Sequence, residues 1–380
     1  MKQIKVAVIG CGAISDIYLR NLKSMFSIID LVGCCDLDTE RSRKMAEKYD
    51  IRQMTIEDIL ADDSIELVVN LTNPKAHYAV IRQLLEGGKN VYTEKVLALE
   101  LDQAAELVRL ANEKGLALGA APDTFLGAAI QTARQAVERG MLGKVTSCLA
   151  QDGRDYGMMG QLVPFIPQQG GGMGFDVGIY YITALLSILG PVKKVNGFLK
   201  YAEEERSFEL PSHAHFGENY KVESETILAG TLQFESGVIG SVQFNSDCIF
   251  PEQPVLMICG TEGVLYMADP NTFGGEVFYR AKGSHERIVL PQTFGYNENS
   301  RGLGVAEMAW SMVNGRKNRA NKEMAYHGLE VLHGIAKSSE SGQTYTLSST
   351  FEKMPPLKQG FMPDYLAADH LPVDPEGALT

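Results

Sequence analysis

The stretch Ile4-Lys5-Val6-Ala7-Val8-Ile9-Gly10-Cys11-Gly12-Ala13-Ile14-Ser15 decides the fold. An apolar run of strand length ends in a Gly-x-Gly turn, and a helical pattern begins at once. Gly10 lacks a Cβ and permits the tight turn, while Gly12 lets the backbone approach a phosphate. The helix that starts at Ala13 and Ile14 presents unpaired N–H groups and the positive end of its dipole. A second apolar run, Ile28 to Cys35, ends at Asp36, where a carboxylate can accept hydrogen bonds from an adenosine ribose. Gly-x-Gly alone is a weak signal. Set between a strand and a helix, with an acid ending strand two, it reads as a dinucleotide fingerprint; a βαβ unit that binds no nucleotide is the alternative. Ser15 stands where a third Gly or Ala often sits and is small enough for helix–strand packing. Asp36 points to NAD over NADP, because a carboxylate there repels a 2′-phosphate. Arg41 is the nearby cation that could offset it, but it lies in a helix beginning beyond the contact.

The same strand–helix alternation runs to about residue 122. Strands are expected at 4–9, 28–36, 67–71, 90–93 and 117–120. Between them come helices near 14–25, 39–49, 73–87 and 101–114, and Thr55-x-x-Asp58 opens a short one as a capping box. This pattern predicts a parallel, doubly wound sheet. After Pro122 the grammar changes. Helices are expected at 128–139, 176–189, 302–313 and 324–337, and strands dominate from 192 to 290. Leu232, Phe234, Val242 and Phe244 alternate with Thr231, Gln233, Ser241 and Gln243 across the Glu235-Ser236-Gly237 turn. One sheet face therefore covers helices, and the other is free for water or a second subunit. The expected fold is an α/β Rossmann domain (1–122) plus an α+β domain with a large, mostly antiparallel open sheet (123–349). An extended C-terminal arm (350–380) follows.

The bulk composition excludes several classes. The 380 residues suggest two domains, and 45% hydrophobic with 22% charged residues is ordinary for a globular protein. A formal net charge of −12 disfavours nucleic acid and anionic membranes. No signal-peptide pattern opens the chain and no apolar run is long enough to span a bilayer, so a cytoplasmic protein is expected. The six cysteines, Cys11, Cys34, Cys35, Cys148, Cys248 and Cys259, fit neither a zinc site nor a disulfide framework. No metal is expected.

Two constellations carry candidate chemistry. In Val91-Tyr92-Thr93-Glu94-Lys95-Val96, Lys95 follows a parallel strand at the sheet's carboxyl edge, where ligands bind. There it either holds a substrate hydroxyl or is a solvated lysine. In Gly170-Gly171-Gly172-Met173-Gly174-Phe175-Asp176-Val177-Gly178-Ile179-Tyr180-Tyr181, Asp176 and Tyr180 stand four apart on one helix face. They are either a proton-handling pair, or a helix cap beside a half-buried tyrosine.

Gly10-x-Gly12, Thr72-Asn73-Pro74…His77, Glu94-Lys95, Asp176-x-Gly178-x-Tyr180 and Gly260-Thr261-Glu262-Gly263, in this order, resemble the Gfo/Idh/MocA oxidoreductase family over nearly the whole chain. The resemblance implies a nicotinamide-dependent enzyme acting on sugars, cyclitols and related CH–OH compounds. It implies that Lys95 binds the substrate hydroxyl beside the cofactor, that Asp176 orients the substrate, and that residue 180 exchanges the hydroxyl proton. It also implies that Thr72, Asn73, Pro74 and His77 line the cofactor, with Glu94 beside it. Two departures stand out. The usual Glu-Lys-Pro is Glu94-Lys95-Val96, and the usual proton-shuttling histidine is Tyr180, as in some members. A free phenol titrates near 10 against about 6.5 for imidazole. Tyr180 therefore needs a neighbouring cation, and Lys95 is the candidate.

The segments Ala121–Gly127 and Phe175–Tyr181 resemble a bacterial subgroup that includes glycoside 3-oxidases. This implies oxidation of a glucoside C3 hydroxyl to a ketone, with a small-molecule sugar or glycoside as partner. Asp123, Arg154 and Tyr156 are the expected sugar contacts, with His213 and His215 as further candidates or as an exposed loop. Inositol or free-sugar dehydrogenation, NAD-dependent glycoside hydrolysis and a non-catalytic dinucleotide-binding regulator are the alternatives. The half-bare sheet face and the C-terminal arm lead us to expect a homo-oligomer.

Overall fold

Five short apolar runs alternate with helices and stack side by side in the first third of the chain, with the exposed polar pair Arg52-Gln53 as a sixth, edge strand. The computed structural model describes residues 3–248 and 255–360. Its first layer contains β1 (Ile4–Ile9), α1 (Ser15–Ser24), β2 (Ile29–Cys35), α2 (Thr39–Tyr49), β3 (Arg52–Gln53) and α3 (Ile56–Ala61). It continues with β4 (Leu67–Asn70), α4 (Pro74–Glu86), β5 (Asn90–Thr93), α5 (Leu101–Glu113) and β6 (Leu118–Ala120). The strands form one parallel sheet in the order β3-β2-β1-β4-β5-β6. Every residue of β4 is buried, as a strand covered on both faces requires. Local chemistry fixes the helix starts. The Asp38 side chain accepts from the N–H groups of Glu40 and Arg41, and Thr55 and Asp58 form the expected reciprocal box.

The chain leaves this sheet at Ala121–Pro122, a cis peptide. It then forms α6 (Ala128–Glu138), β7 (Val145–Gly153) and α7 (Tyr156–Leu162). A single π-helical turn at Gly174–Gly178 leads into α8 (Ile179–Leu189), where one continuous α-helix was expected. The rest is β8 (Val192–Lys200), β9 (Glu205–Ser207), β10 (Asn219–Lys221), β11 (Ile227–Phe234), β12 (Ile239–Asn245), β13 (Val255–Gly260), β14 (Gly263–Met267), β15 (Phe278–Ala281), β16 (Ile288–Val289), α9 (Leu303–Val313), α10 (Lys322–Ser341) and β17 (Tyr345–Thr346). Nine of these strands form an open sheet in the order β16-β15-β14-β13-β7-β12-β11-β8-β17, antiparallel except where β7 runs parallel to β12. Leu228, Leu232, Phe234, Val242 and Phe244 are buried against α8 and α10, while Phe198 and Ile239 stand exposed on the opposite face.

Hydrogen bonds tie the halves together at several points. The Ala120 N–H donates to Ala320 O across the outer edge of β6 (3.2 Å). His333 of α10 bonds through Nε2 to Leu99 O (2.9 Å). Residues 350–360 of the expected arm lie against the chain itself. Phe351 and Leu357 are buried, Arg134 donates to Met354 O, and Arg319 donates to Pro355 O. Residues 361–380 of that arm lie outside the described residues.

Candidate active site

The nucleotide end of the crevice is built by the β1–α1 turn. Gly10 has φ +97°, and a Cβ there would lie 2.7 Å from the Leu71 carbonyl, so only glycine fits. Around a Cβ placed on Gly12 nothing lies within 4 Å, which leaves open space over the turn. No side chain caps the start of α1 at Ile14, so the first N–H groups of the helix face a ligand position, while those of Gly10, Cys11 and Ser15 are bonded to Cys35 O, Asp36 and Gly12 O. Asp36, half-buried at the end of β2, accepts from the Cys11 N–H through Oδ2 (2.6 Å) and from the Asp38 N–H through Oδ1 (2.8 Å). These features fit a dinucleotide: an open cradle of donors at the pyrophosphate position and a carboxylate at the ribose position. Arg41 is exposed and paired with Asp38 (3.2 Å).

The Thr72-Asn73-Pro74 segment opens α4, with Pro74 at the first helical position. Thr72 Oγ1 donates to Asn70 Oδ1 (2.8 Å), and Asn70 Nδ2 donates to Thr93 Oγ1 (3.0 Å). His77, expected along the cofactor, is fully buried instead. Its ring nitrogens lie 2.6 Å from Val96 O and 3.0 Å from Thr72 O, so it ties the two loops together from below. Glu94 is also largely buried. It accepts from the Tyr18 hydroxyl (2.6 Å) and from the Lys95 N–H (3.1 Å). The Lys95–Val96 peptide is cis.

Lys95, Asp176, Tyr180 and Tyr156 come together. The Lys95 ammonium is paired with Asp176 Oδ1 and lies 5.8 Å from the centroid of the Tyr180 ring and 5.7 Å from that of Phe165. The Tyr156 hydroxyl donates to Asp176 Oδ2 (2.6 Å). Burial works to lower the Lys95 pKa, but the charges of Asp176, Tyr180 and Glu94 outweigh it and hold the ammonium above its ordinary range. Burial pushes the Tyr180 phenol up to about 12; Lys95 and Arg301 pull it down, and Glu94 and Asp176 push it further up. Burial, with Asp176 beside it, likewise raises the Tyr156 phenol.

The remaining expected contacts are engaged by partners within the protein. Asp123 is 2% exposed. Its Oδ2 accepts from the Gly302 and Gly304 N–H groups (3.2 and 2.9 Å), so it secures the start of α9 instead of facing a sugar. Burial raises its carboxyl to about 6. Arg154 is engaged by Asp152 (2.9 Å) and Asp269 (3.0 Å). His213 stacks on Phe208, with centroids 4.1 Å apart, and His215 lies on the surface beside Glu218. Among the described residues, no group of three or more His, Cys, Asp or Glu is placed to hold a metal ion. No helix there is long and apolar enough to cross a membrane.

Three residues of this region were not anticipated. Phe165 sits in the loop after α7 and walls the ammonium. Glu225, just before β11, accepts from the Gly174 N–H (3.0 Å) at the π turn. A Cβ on Gly172 would lie 2.1 Å from that carboxyl, so the Gly-rich run exists partly to admit it. Burial raises Glu225 to about 7. Arg301, in the loop before α9, donates to Asn299 Oδ1 (3.0 Å) and Asn271 Oδ1 (2.8 Å).

Known proteins share this layout. Residues 4–121 match the oxidoreductase family with an NAD-binding Rossmann fold, GFO_IDH_MocA, and residues 130–266 match a GFO/IDH/MocA C-terminal domain. The chain is 27% identical over 358 residues to D-glucoside 3-dehydrogenase of Escherichia coli, covering 89% of this chain and 96% of that one. It is 23% identical over 309 residues to trans-1,2-dihydrobenzene-1,2-diol dehydrogenase of Bos taurus, covering 80% and 85%. The fold of levoglucosan dehydrogenase, solved in complex with NADH and L-sorbose, superposes with a TM-score of 0.80 at 16% identity, covering 91% of this chain and 99% of that one. The chain belongs to the Gfo/Idh/MocA family and is an NAD-binding oxidoreductase of CH–OH groups.

Proposed function

We propose that this protein oxidises the C3 hydroxyl of a glucoside to a ketone. The observation that carries the reading is the cluster of ammonium, carboxylate and two phenols beneath one aromatic wall. It stands in a chain similar over nearly its full length to a D-glucoside 3-dehydrogenase. Gly10, Gly12, Ala13, Ile14, Asp36, Thr72, Asn73, Pro74, Glu94 and Lys95 would hold the dinucleotide. Bound NAD supplies the hydride acceptor.

The roles of the protein's own groups follow from charge and geometry. Lys95 donates to the reacting hydroxyl and favours negative charge on its oxygen. Asp176 is held by Lys95 on one oxygen and Tyr156 on the other, so it can orient a neighbouring hydroxyl without swinging away. Tyr180 accepts the hydroxyl proton. The Phe165 ring offers a flat apolar surface to the C–H face of a pyranose, which suits a sugar better than a small acyclic alcohol. The exposed Phe198 and Ile239 leave the outer sheet face partly apolar, which supports a homo-oligomer that covers it.

Incubation with NAD and a panel of glucosides, free sugars and inositols tests the reading. Reduced cofactor and a new C3 carbonyl by NMR are expected with glucosides. A carbonyl only on inositols or free sugars would move the assignment to those substrates.

A further inference from the structure

We infer that Glu225 is a positioning residue for Asp176: its buried carboxyl grips the π turn at Gly174 and so keeps Asp176 between Lys95 and Tyr156. The inference rests on the role of Asp176 proposed above. Glu225 is 4% exposed. A carboxyl withdrawn from water is costly unless its oxygens are bonded. Here the π turn supplies the partner, since the Gly174 N–H donates to Oε1 (3.0 Å).

The contact reaches Asp176 through short backbone links. Gly174 stands two residues before it. The Asp176 N–H donates to Gly172 O (2.8 Å), and the carboxyl rests directly on Gly172, where a Cβ would lie 2.1 Å from it. A Cβ on Gly174 would lie 2.7 Å from Leu228 Cδ1 and 3.1 Å from Glu225 Oε1. The two glycines let the turn lie close against the start of β11, and the carboxyl pins it there. Single π turns are rare and cluster at functional sites. An α-helical turn takes one residue fewer, so relaxing this one would rotate the residues before α8 by roughly 100° relative to Tyr180. The grip of Glu225 therefore sets where Asp176 stands.

Glu225 is itself rigidly carried. The next residue, Thr226, donates its N–H to Lys200 O (2.8 Å), and its carbonyl oxygen accepts from the Ser246 N–H (2.7 Å). The Glu223 N–H donates to Pro167 O (2.7 Å), which joins this segment to the loop that carries Phe165. The turn is braced a second time by Phe175. Its ring meets His333 edge-on, with centroids 5.2 Å apart, and His333 Nε2 bonds to Leu99 O (2.9 Å) in the loop that follows Lys95. The segments bearing Asp176, Lys95 and Phe165 are thus fixed to one frame, as preorganised positioning requires.

Two variants separate positioning from bulk. Glu225→Met fills the space without an acceptor, and Glu225→Gln keeps a carbonyl oxygen for the Gly174 N–H. Crystal structures of both with NAD need no substrate. In Glu225→Met, Asp176 is expected to leave Lys95 and Tyr156; in Glu225→Gln it should keep both. Asp176 still seated on both partners in Glu225→Met overturns the inference. Should that variant not fold, Glu225→Asp, which withdraws the carboxyl by one methylene, is read in the same way. Kinetics supply the second readout, on whichever glucoside, sugar or inositol the wild type oxidises. Glu225→Met should lower kcat/KM about tenfold with NAD affinity unchanged, and Glu225→Gln should stay within about twofold of wild type. Equal kcat/KM in Glu225→Met and wild type also overturns it. If the wild type oxidises none of these compounds, the C3 assignment falls, and the structures still decide the role of Glu225.

Discussion

The hydroxyl of Tyr156 donates to Asp176 Oδ2 across 2.6 Å, while the other oxygen of the same carboxylate holds the Lys95 ammonium. A carboxylate pinned at both ends can present a fixed lone pair to a substrate. Removing the Tyr156 hydroxyl should loosen that carboxylate without disturbing the fold. Tyr156→Phe is expected to lower kcat/KM about tenfold and to leave dinucleotide affinity unchanged, the loss of one charge-assisted hydrogen bond. Steady-state kinetics and a separate NAD titration check it.

The pair Lys95 and Asp176 should matter more. Lys95→Met is expected to reduce kcat by about 100-fold or more, in the range of lost acid–base and electrostatic assistance. Asp176→Asn should fall nearly as far while still binding NAD. The double variant should lose little beyond either single one, because the two groups act as a unit.

The pH dependence follows from Tyr180. Burial pushes its phenol up to about 12, so the base form is expected to be scarce at neutrality and to grow as pH rises. Oxidation should therefore speed up through the alkaline range. Tyr180→His, with its lower intrinsic pKa, should move the rise toward neutrality. A Tyr180→Phe profile that tracks the parent would remove Tyr180 from proton transfer.

Asp36 is the residue on which cofactor choice is expected to rest. Its carboxylate stands at the end of β2, tied to the Cys11 and Asp38 N–H groups. Asp36→Ser removes the charge that would repel a 2′-phosphate, and the NADP-to-NAD preference is expected to rise at least tenfold. Kd values for the two dinucleotides measure it.

Glu225 links stability to pH. Burial, above all, pushes its carboxyl up to about 7 from the ordinary 4.5. A carboxyl raised in this way adds stability below its unfolded pKa, and that stability is lost as pH climbs through the folded value. Between about pH 4.5 and 7 the wild type should lose on the order of 2 kcal/mol from this group. Glu225→Gln should flatten the dependence of Tm over that window. Equal slopes for the two proteins would show that Glu225 stays ionised.

The elements read from the chain were those whose signals are local. The β1 turn, the caps at Asp38 and Thr55 and the alternation across β11 and β12 each carry their cause within a few residues, so they were legible. The contacts that shape the site do not. Asp123 looked like a loop carboxylate beside the crevice, but its partners, Gly302 and Gly304, lie far along the chain. His77 looked like a cofactor contact because it follows Thr72-Asn73-Pro74, yet burial turns it toward Val96 O. Arg301 and Phe165 sit in segments without periodicity, and nothing local marks them. The π turn at Gly174–Gly178 was hidden because its glycines read equally well as a ligand loop; Glu225, which the neighbouring Gly172 admits, enters from the segment before β11.

The most direct test of the account is product analysis after incubation with NAD and an alkyl β-glucoside, in wild type and Lys95→Met. The expected result is cofactor reduction with a single new carbonyl at C3 in the wild type and none in the variant. Reduction at the same rate in Lys95→Met, or no turnover of any glucoside, would contradict it.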